Sequence, residues 1–330
     1  MDVRLTYEDG TIRVDADADL GPDLAAAVDE IESLGLPAWS DLSVAAARRL
    51  EDDLFSGPPE PPVAEVRDLA FDGPHGEVPV RVYRPESATE GSAESRALVH
   101  FHGGGWTLGT LDSVDGICRE LAVRADAVVV SVDYRLAPEH PFPVAVDEAA
   151  AAVEWVGEAA ADALGVDPDG VGVSGTSAGG ALAVAASLRA REVGDLPAPA
   201  GQFLLYPIAG HDFGTDSYRE NADGPLLTRD DMEWFYERYL RSPVDAANPY
   251  AVPLRAEDLG DLPPATVVTA GFDPLRDDGV ALAERFGSEG TPVEHRHYPA
   301  MAHGFCSLAD RVPTAEAALE AVAADVRDRL

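Results

Sequence analysis

The sequence contains no lysine. All 24 basic residues are arginine, set against 60 aspartates and glutamates, for a formal charge of −36 over 330 residues. Such a surface repels phosphate backbones, which excludes nucleic acid as an expected partner, and it disfavours anionic membrane surfaces for the same reason. Cysteine is nearly absent. Cys118 and Cys306 lie far apart in the chain and form neither a zinc nor a redox motif, so both are expected to be small buried apolar groups. No apolar stretch approaches the ~18 residues that a membrane-spanning helix needs. The opening "MDVRLTYEDG" lacks the basic and apolar regions of a secretory leader, so the expected location is cytoplasmic. Like charge at this density works against the compact state in dilute buffer, whereas ~1 M salt shortens the Debye length to about 3 Å. The expected source is therefore a salt-accumulating microbe.

What is present points to a large globular α/β chain: 46% of residues are hydrophobic and 25% charged. Around Asp9-Gly10 the alternation in "VRLTYEDGTIRV" signals a hairpin. Helical spacing follows in "DLAAAVDEIESLG", which ends at Gly35, and in "SVAAARRLEDDLF", where Ser43 is the expected N-cap. The proline-rich "SGPPEPPV" (Ser56 to Val63) is a natural boundary. Strands and helices then alternate. The strands are "VPVRVYRP", "ALVHFHGG", "AVVVSVDYR", "GVGVSG", "GQFLLYP", "ATVVTAGF" and "VEHRHYP", and a single long helix is expected over "VAVDEAAAAVEWVGEAAADAL". This order predicts a mostly parallel sheet with helices on both faces. His211 to Leu254 breaks the rhythm with polar loop and one helix around "RDDMEWFYERYL". With the helices at 20 to 55, this insertion is expected to form a lid.

Chemistry enters with Gly175-Thr176-Ser177-Ala178-Gly179, a G-x-S-x-G pattern that chance supplies in roughly one sequence in eight of this composition, so it needs company. Its context, after a strand and before a helix, is that of a nucleophile elbow. The run "HFHGGGW" supplies H-G-G-G, a far rarer match, whose glycines can turn backbone N–H groups toward a developing oxyanion. Ala178, at a helix N-terminus, offers another such N–H. A serine needs a base, and in this architecture the order is serine, acid, histidine. Of the later histidines, His211 precedes any suitable acid. His295 and His297 share one face of a strand and are expected on a solvated face. His303 follows the last strand in "PAMAHGF". Asp273, directly after "ATVVTAGF", is favoured as the acid over Asp277 and Asp278, although an Asp-Pro pair is also a helix cap.

"HGGGW", "VDYRLAPEHPFP", "GTSAGG", "SYRENADGPLLT", "NPYAVPL", "GFDPLRDDG" and "YPAMAHGF", in this order, resemble the hormone-sensitive-lipase-like esterases of the α/β-hydrolase superfamily. The resemblance runs from about residue 20 to the end. It implies an α/β-hydrolase core over 59–330 and a helical cap built from 1–58 and an insertion at 208–245. It implies Ser177 as nucleophile, Asp273 as acid and His303 as base, with oxyanion donors at Gly103, Gly104 and Ala178. It also implies His102 as a support for the glycine loop and Trp106 at the border of the substrate pocket. Thr176 and Ala300 stand where aspartate and glycine are common in the family. The implied reaction is hydrolysis of short- to medium-chain carboxylic esters through an acyl-enzyme, with no metal and no organic cofactor. The partner is a small-molecule ester and, at most, a second copy of the chain. An amidase or deacetylase would use the same residues. A ligand-binding protein on this scaffold could dispense with His303.

Overall fold

The computed structural model describes residues 19–88, 95–159, 161–194 and 196–330; the hairpin expected around Asp9 and Gly10 lies outside them. In chain order the elements are α1 (Pro22–Ser33), α2 (Val44–Phe55), β1 (Glu65–Gly73), β2 (Gly76–Arg84), β3 (Ser95–Phe101), α3 (Asp115–Ala125), β4 (Val128–Val132), α4 (Val144–Glu154), α5 (Ala161–Leu164), β5 (Val166–Thr176), α6 (Ala178–Val193), β6 (Gln202–Leu205), α7 (Asp216–Glu220), α8 (Arg229–Tyr239), β7 (Ala265–Phe272), α9 (Arg276–Glu289), β8 (Val293–Ala302) and α10 (Pro313–Arg329). Each strand read from the sequence is present. β1 is an additional strand at the sheet edge that pairs antiparallel with β2 and mostly alternates between half-buried and exposed residues. The single helix expected over 144–164 is instead α4 and α5, separated by a wider turn at Trp155–Ala159.

The strands form one sheet in the order β1-β2-β4-β3-β5-β6-β7-β8. β2 joins β4 antiparallel, and every pairing from β4 through to β8 is parallel. Successive strand side chains point to opposite faces, and the core divides accordingly. Val99, Val128, Val130, Val173, Leu204 and Val267 pack on one side with α4, α6 and α9. Leu98, Val129, Phe203, Leu205 and Val268 pack on the other with α3, α10 and α1. Buried on both faces, the parallel strands could only be built from near-continuous apolar runs, as "VVVSV" in β4 shows. Cys118 and Cys306 are buried free thiols in this core.

The parallel arrangement brings one end of the sheet together. β3 ends just before His102, β5 just before Ser177, β6 just before Tyr206, β7 just before Asp273 and β8 just before His303. Over that end lie α1, α2 and the insertion with α8. Ser43 caps α2 by accepting from Ala46 N–H at 3.3 Å. Thr228 and Asp231 form a capping box at α8, and Asp231 also accepts from Ser40 N–H at 2.9 Å, tying the N-terminal segment to the insertion.

Candidate active site

Ser177 occupies a turn that few sequences can make. Its backbone has φ 53° and ψ −114°, a sparsely populated conformation whose strain, of order 1–3 kcal/mol, must be held by its surroundings. Strand β6, helix α6 and the loop after β6 supply the hold: Ser177 N–H donates to the Leu205 carbonyl at 2.9 Å, and its own carbonyl accepts from Gly180 N–H at 3.0 Å and Ile208 N–H at 3.1 Å. The flanking glycines are obligatory. A Cβ on Gly175 would lie 2.2 Å from the Gly179 carbonyl carbon, and one on Gly179 would lie 1.9 Å from the Phe101 oxygen.

The turn presents the Ser177 hydroxyl to His303, whose Nε2 lies 3.0 Å from Oγ, while Nδ1 lies 2.9 Å from Asp273 Oδ2. Asp273 is buried and uses both oxygens, because Oδ1 accepts from Leu275 N–H at 2.8 Å. That bond closes a turn ahead of α9 rather than capping it, because the helix N-cap is Leu275 and no side chain caps it, so the helix-cap reading of Asp273 is not met. A hydroxyl, an imidazole and a buried carboxylate in one hydrogen-bonded series can move the hydroxyl proton onto the ring when the oxygen attacks an electrophile. The other candidates lie elsewhere. Asp277 accepts from Ser217 N–H and Asp278 from Gly210 N–H, both at 2.8 Å. His211 packs edge-on to Tyr236.

His295 and His297 depart from the expected solvated face. Thr269 Oγ1 sits 2.8 Å from His295 Nε2 and 2.9 Å from His297 Nδ1. α9 lies close over Thr269, so a Cβ on Gly279 would come 2.5 Å from its methyl group. Burial lowers both rings to about 4, which keeps them neutral.

The glycine loop faces Ser177. A Cβ on Gly103 would touch Thr176 Oγ1 at 3.2 Å and the Ser177 Cβ at 3.4 Å. Gly104 has φ +96°. Among the described residues, no hydrogen bond takes up the N–H groups of Gly103, Gly104 or Ala178, which leaves them free for an oxygen arriving beside Ser177. His102 braces the loop: its ring stacks on Tyr134 at 4.2 Å and Nδ1–H donates to the Gly103 carbonyl at 2.8 Å. Burial holds this ring neutral, with its pKa lowered to about 4. The Tyr134 hydroxyl donates to the His102 carbonyl at 2.9 Å. Trp106, expected at the border of the pocket, instead stacks on Tyr239 of α8 at 3.9 Å, and Gly103, Gly104, Gly105 and Leu108 make the cavity wall.

That cavity, of about 130 Å³, contains Ser177 and His303 and is partly covered by Trp39 from the segment between α1 and α2, Phe55 of α2, and Met232 and Phe235 of α8. The approach is close: a Cβ on Gly105 would meet the Phe235 ring at 2.2 Å. Two residues of the site carried no sequence signal. Tyr206 packs edge-on to His303 with ring centroids 5.0 Å apart. Glu51 of α2 lines the cavity, and burial pushes its carboxyl up to about 7. Their positions depend on the packing of distant segments, which local sequence does not encode.

Comparison with known proteins places this chain in a family. A family described as having the alpha/beta hydrolase fold matches residues 98–307. The esterase LipI of Mycobacterium tuberculosis is 43% identical over 277 residues, covering 83% of this chain and 85% of that protein. An ethyl acetate hydrolase of Pseudomonas putida is 34% identical over 319 residues, covering 94% and 99%. Among solved structures, the thermostable carboxylesterase EstE1 from a metagenomic library is 38% identical with a TM-score of 0.82, covering 88% of this chain and 98% of that one. An ester hydrolase from the metagenome of Lake Arreo is 36% identical with a TM-score of 0.87, covering 94% and 98%. The chain belongs to the hormone-sensitive-lipase-like esterases of the α/β-hydrolase fold and is a carboxylic ester hydrolase.

Proposed function

We propose that the protein hydrolyses short- to medium-chain carboxylic esters through an acyl-enzyme on Ser177. The observation that carries this reading is the hydrogen-bonded series Ser177–His303–Asp273, at 3.0 and 2.9 Å, opening into the largely apolar cavity. Ser177 Oγ attacks the acyl carbonyl while His303 Nε2 takes its proton, and Asp273 fixes the ring tautomer and stabilises the imidazolium. The N–H groups of Gly103, Gly104 and Ala178 receive the oxyanion; one such donor is typically worth ~10²–10³ in rate. His303 then protonates the leaving alcohol, and water repeats the cycle on the acyl-enzyme. The mostly apolar lining around Ser177, with Ile31, Phe55, Leu108, Met232 and Phe235, suits an aliphatic acyl chain. α1, α2 and the insertion around α8 serve as the cap that encloses it.

Ser177→Ala tests the reading. Turnover of a short para-nitrophenyl ester should fall by at least ~10⁴-fold, with the circular dichroism spectrum unchanged; wild-type turnover would refute it. A second reading has one observation in its favour. An arylacetamide deacetylase of Bos taurus is 32% identical over 305 residues, so matched aryl esters and anilides should be compared. The acidity belongs to the same proposal: with a charge of −36, the enzyme is expected to work in concentrated salt.

A further inference from the structure

Among the described residues, Glu51 is the one carboxyl in the cavity wall, and the acyl transfer proposed above leaves it unused. It is 8% exposed, and among the described residues no hydrogen bond reaches its buried Oε2. A buried carboxyl oxygen without a donor is costly; Oε2 is itself shielded from the cavity that the side chain lines, so a turn of the side chain brings it to a ligand donor, which an aliphatic ester lacks. Among the described residues, the surroundings supply no cation. Arg48, one turn back on α2, is taken by Glu139 and by the Thr107 and Ala137 carbonyls, and Arg49 is exposed. From the loop before α3, Ser113 and the Gly109 N–H face the carboxyl, and Asp52 repels it from its own helix. Tyr134 lies close by beneath the glycine loop, where His102 is a neutral ring. His303 lines the same cavity.

We propose that Glu51 determines substrate specificity: its carboxyl accepts a hydrogen bond from a hydroxyl or amine on the bound ester, so donor-bearing esters are hydrolysed in preference to their apolar isosteres. The inference rests on the Ser177 cavity being the ester site. Burial raises the Glu51 carboxyl from its ordinary 4.5 to about 7. Above that value it is an acceptor-only carboxylate, and below it a neutral acid, so the preference grows as pH rises through about 7.

The test uses the ratio of kcat/KM for two isosteric esters, in which any effect of pH common to both cancels. One pair places the donor on the acyl chain (para-nitrophenyl β-hydroxybutyrate against β-methylbutyrate). The other places it on the alcohol (hydroxyethyl butyrate against propyl butyrate). At about pH 8 the wild-type ratio, divided by that of Glu51→Leu, should be about tenfold or more in one pair, and it should shrink toward about pH 6. Glu51→Gln, which keeps an acceptor but does not titrate, should hold its ratio constant with pH, and it serves if Glu51→Leu fails to fold. A ratio unaffected by both substitutions, in both pairs and at both pH values, would overturn the inference. It would do so without touching the nucleophile, whose failure would appear instead as an active Ser177→Ala enzyme.

Discussion

At the scale of single residues, the site combines motifs that sequence displays with contacts that it does not. Ser177, Asp273 and His303 each stand directly after a parallel strand, and strand ends are where such sheets place their chemistry. The role proposed for Asp273 is orientation of the ring, so Asp273→Asn should keep the fold but lower kcat by ~10⁴-fold; a drop below tenfold would remove Asp273 from that role. Asp278 gives a prediction of opposite character. Burial raises its carboxyl from 3.8 to about 7 despite the hydrogen bond from Gly210 N–H. Between those values the folded chain holds a proton that the unfolded chain has released. Its contribution to stability is thus full below about pH 4 and declines as pH rises toward 7. Asp278→Asn, which can still accept from Gly210, should therefore gain denaturant stability relative to wild type as pH rises across that window. Equal pH dependence in the two proteins would contradict the assignment. Neither Asp278 nor Glu51 stood out in the sequence as an unusual acid, because what perturbs each is burial by segments distant in the chain.

At the scale of elements, helices and parallel strands were legible because their periodicity matches their burial. The exceptions have physical causes. β1 reads "EVRDLAFDG" and buries few side chains, so its alternation is weak and its pairing with β2 through the turn at Gly73–Gly76 defines it. His295 and His297 alternate as strand residues do, but sequence does not show that α9 covers their face. The cap proposed above depends on Asp231, which is buried, closes the N-terminus of α8 and accepts from Ser40 N–H. Asp231→Ala removes the reciprocal half of the capping box, leaving Thr228 as N-cap, and deprives the part-buried Ser40 and Thr228 N–H groups of their acceptor, a loss of about 1–2 kcal/mol. Calorimetry should show a lower Tm, and KM should rise because Met232 and Phe235 beside it wall the cavity. An unchanged KM would separate α8 from substrate binding.

At the scale of the whole molecule, charge dominates. Ion pairs such as those of Arg124 with Glu120, Glu316 and Glu320 engage the arginines, but 24 cations cannot balance 60 carboxylates. Exposed pairs are each worth only ~0–1 kcal/mol, so screening the net repulsion should outweigh weakening them. Tm is expected to rise from dilute buffer to molar KCl, and equal stability in both would contradict the proposed adaptation to salt. The central claim is that Ser177 carries the acyl group, and the mass of the intact protein tests it most directly. Acid quenching during turnover of a para-nitrophenyl ester should yield a species heavier by one acyl group, with the adduct on the peptide containing Ser177 and absent from Ser177→Ala. Full turnover with no adduct, or an adduct that persists in Ser177→Ala, would contradict the account.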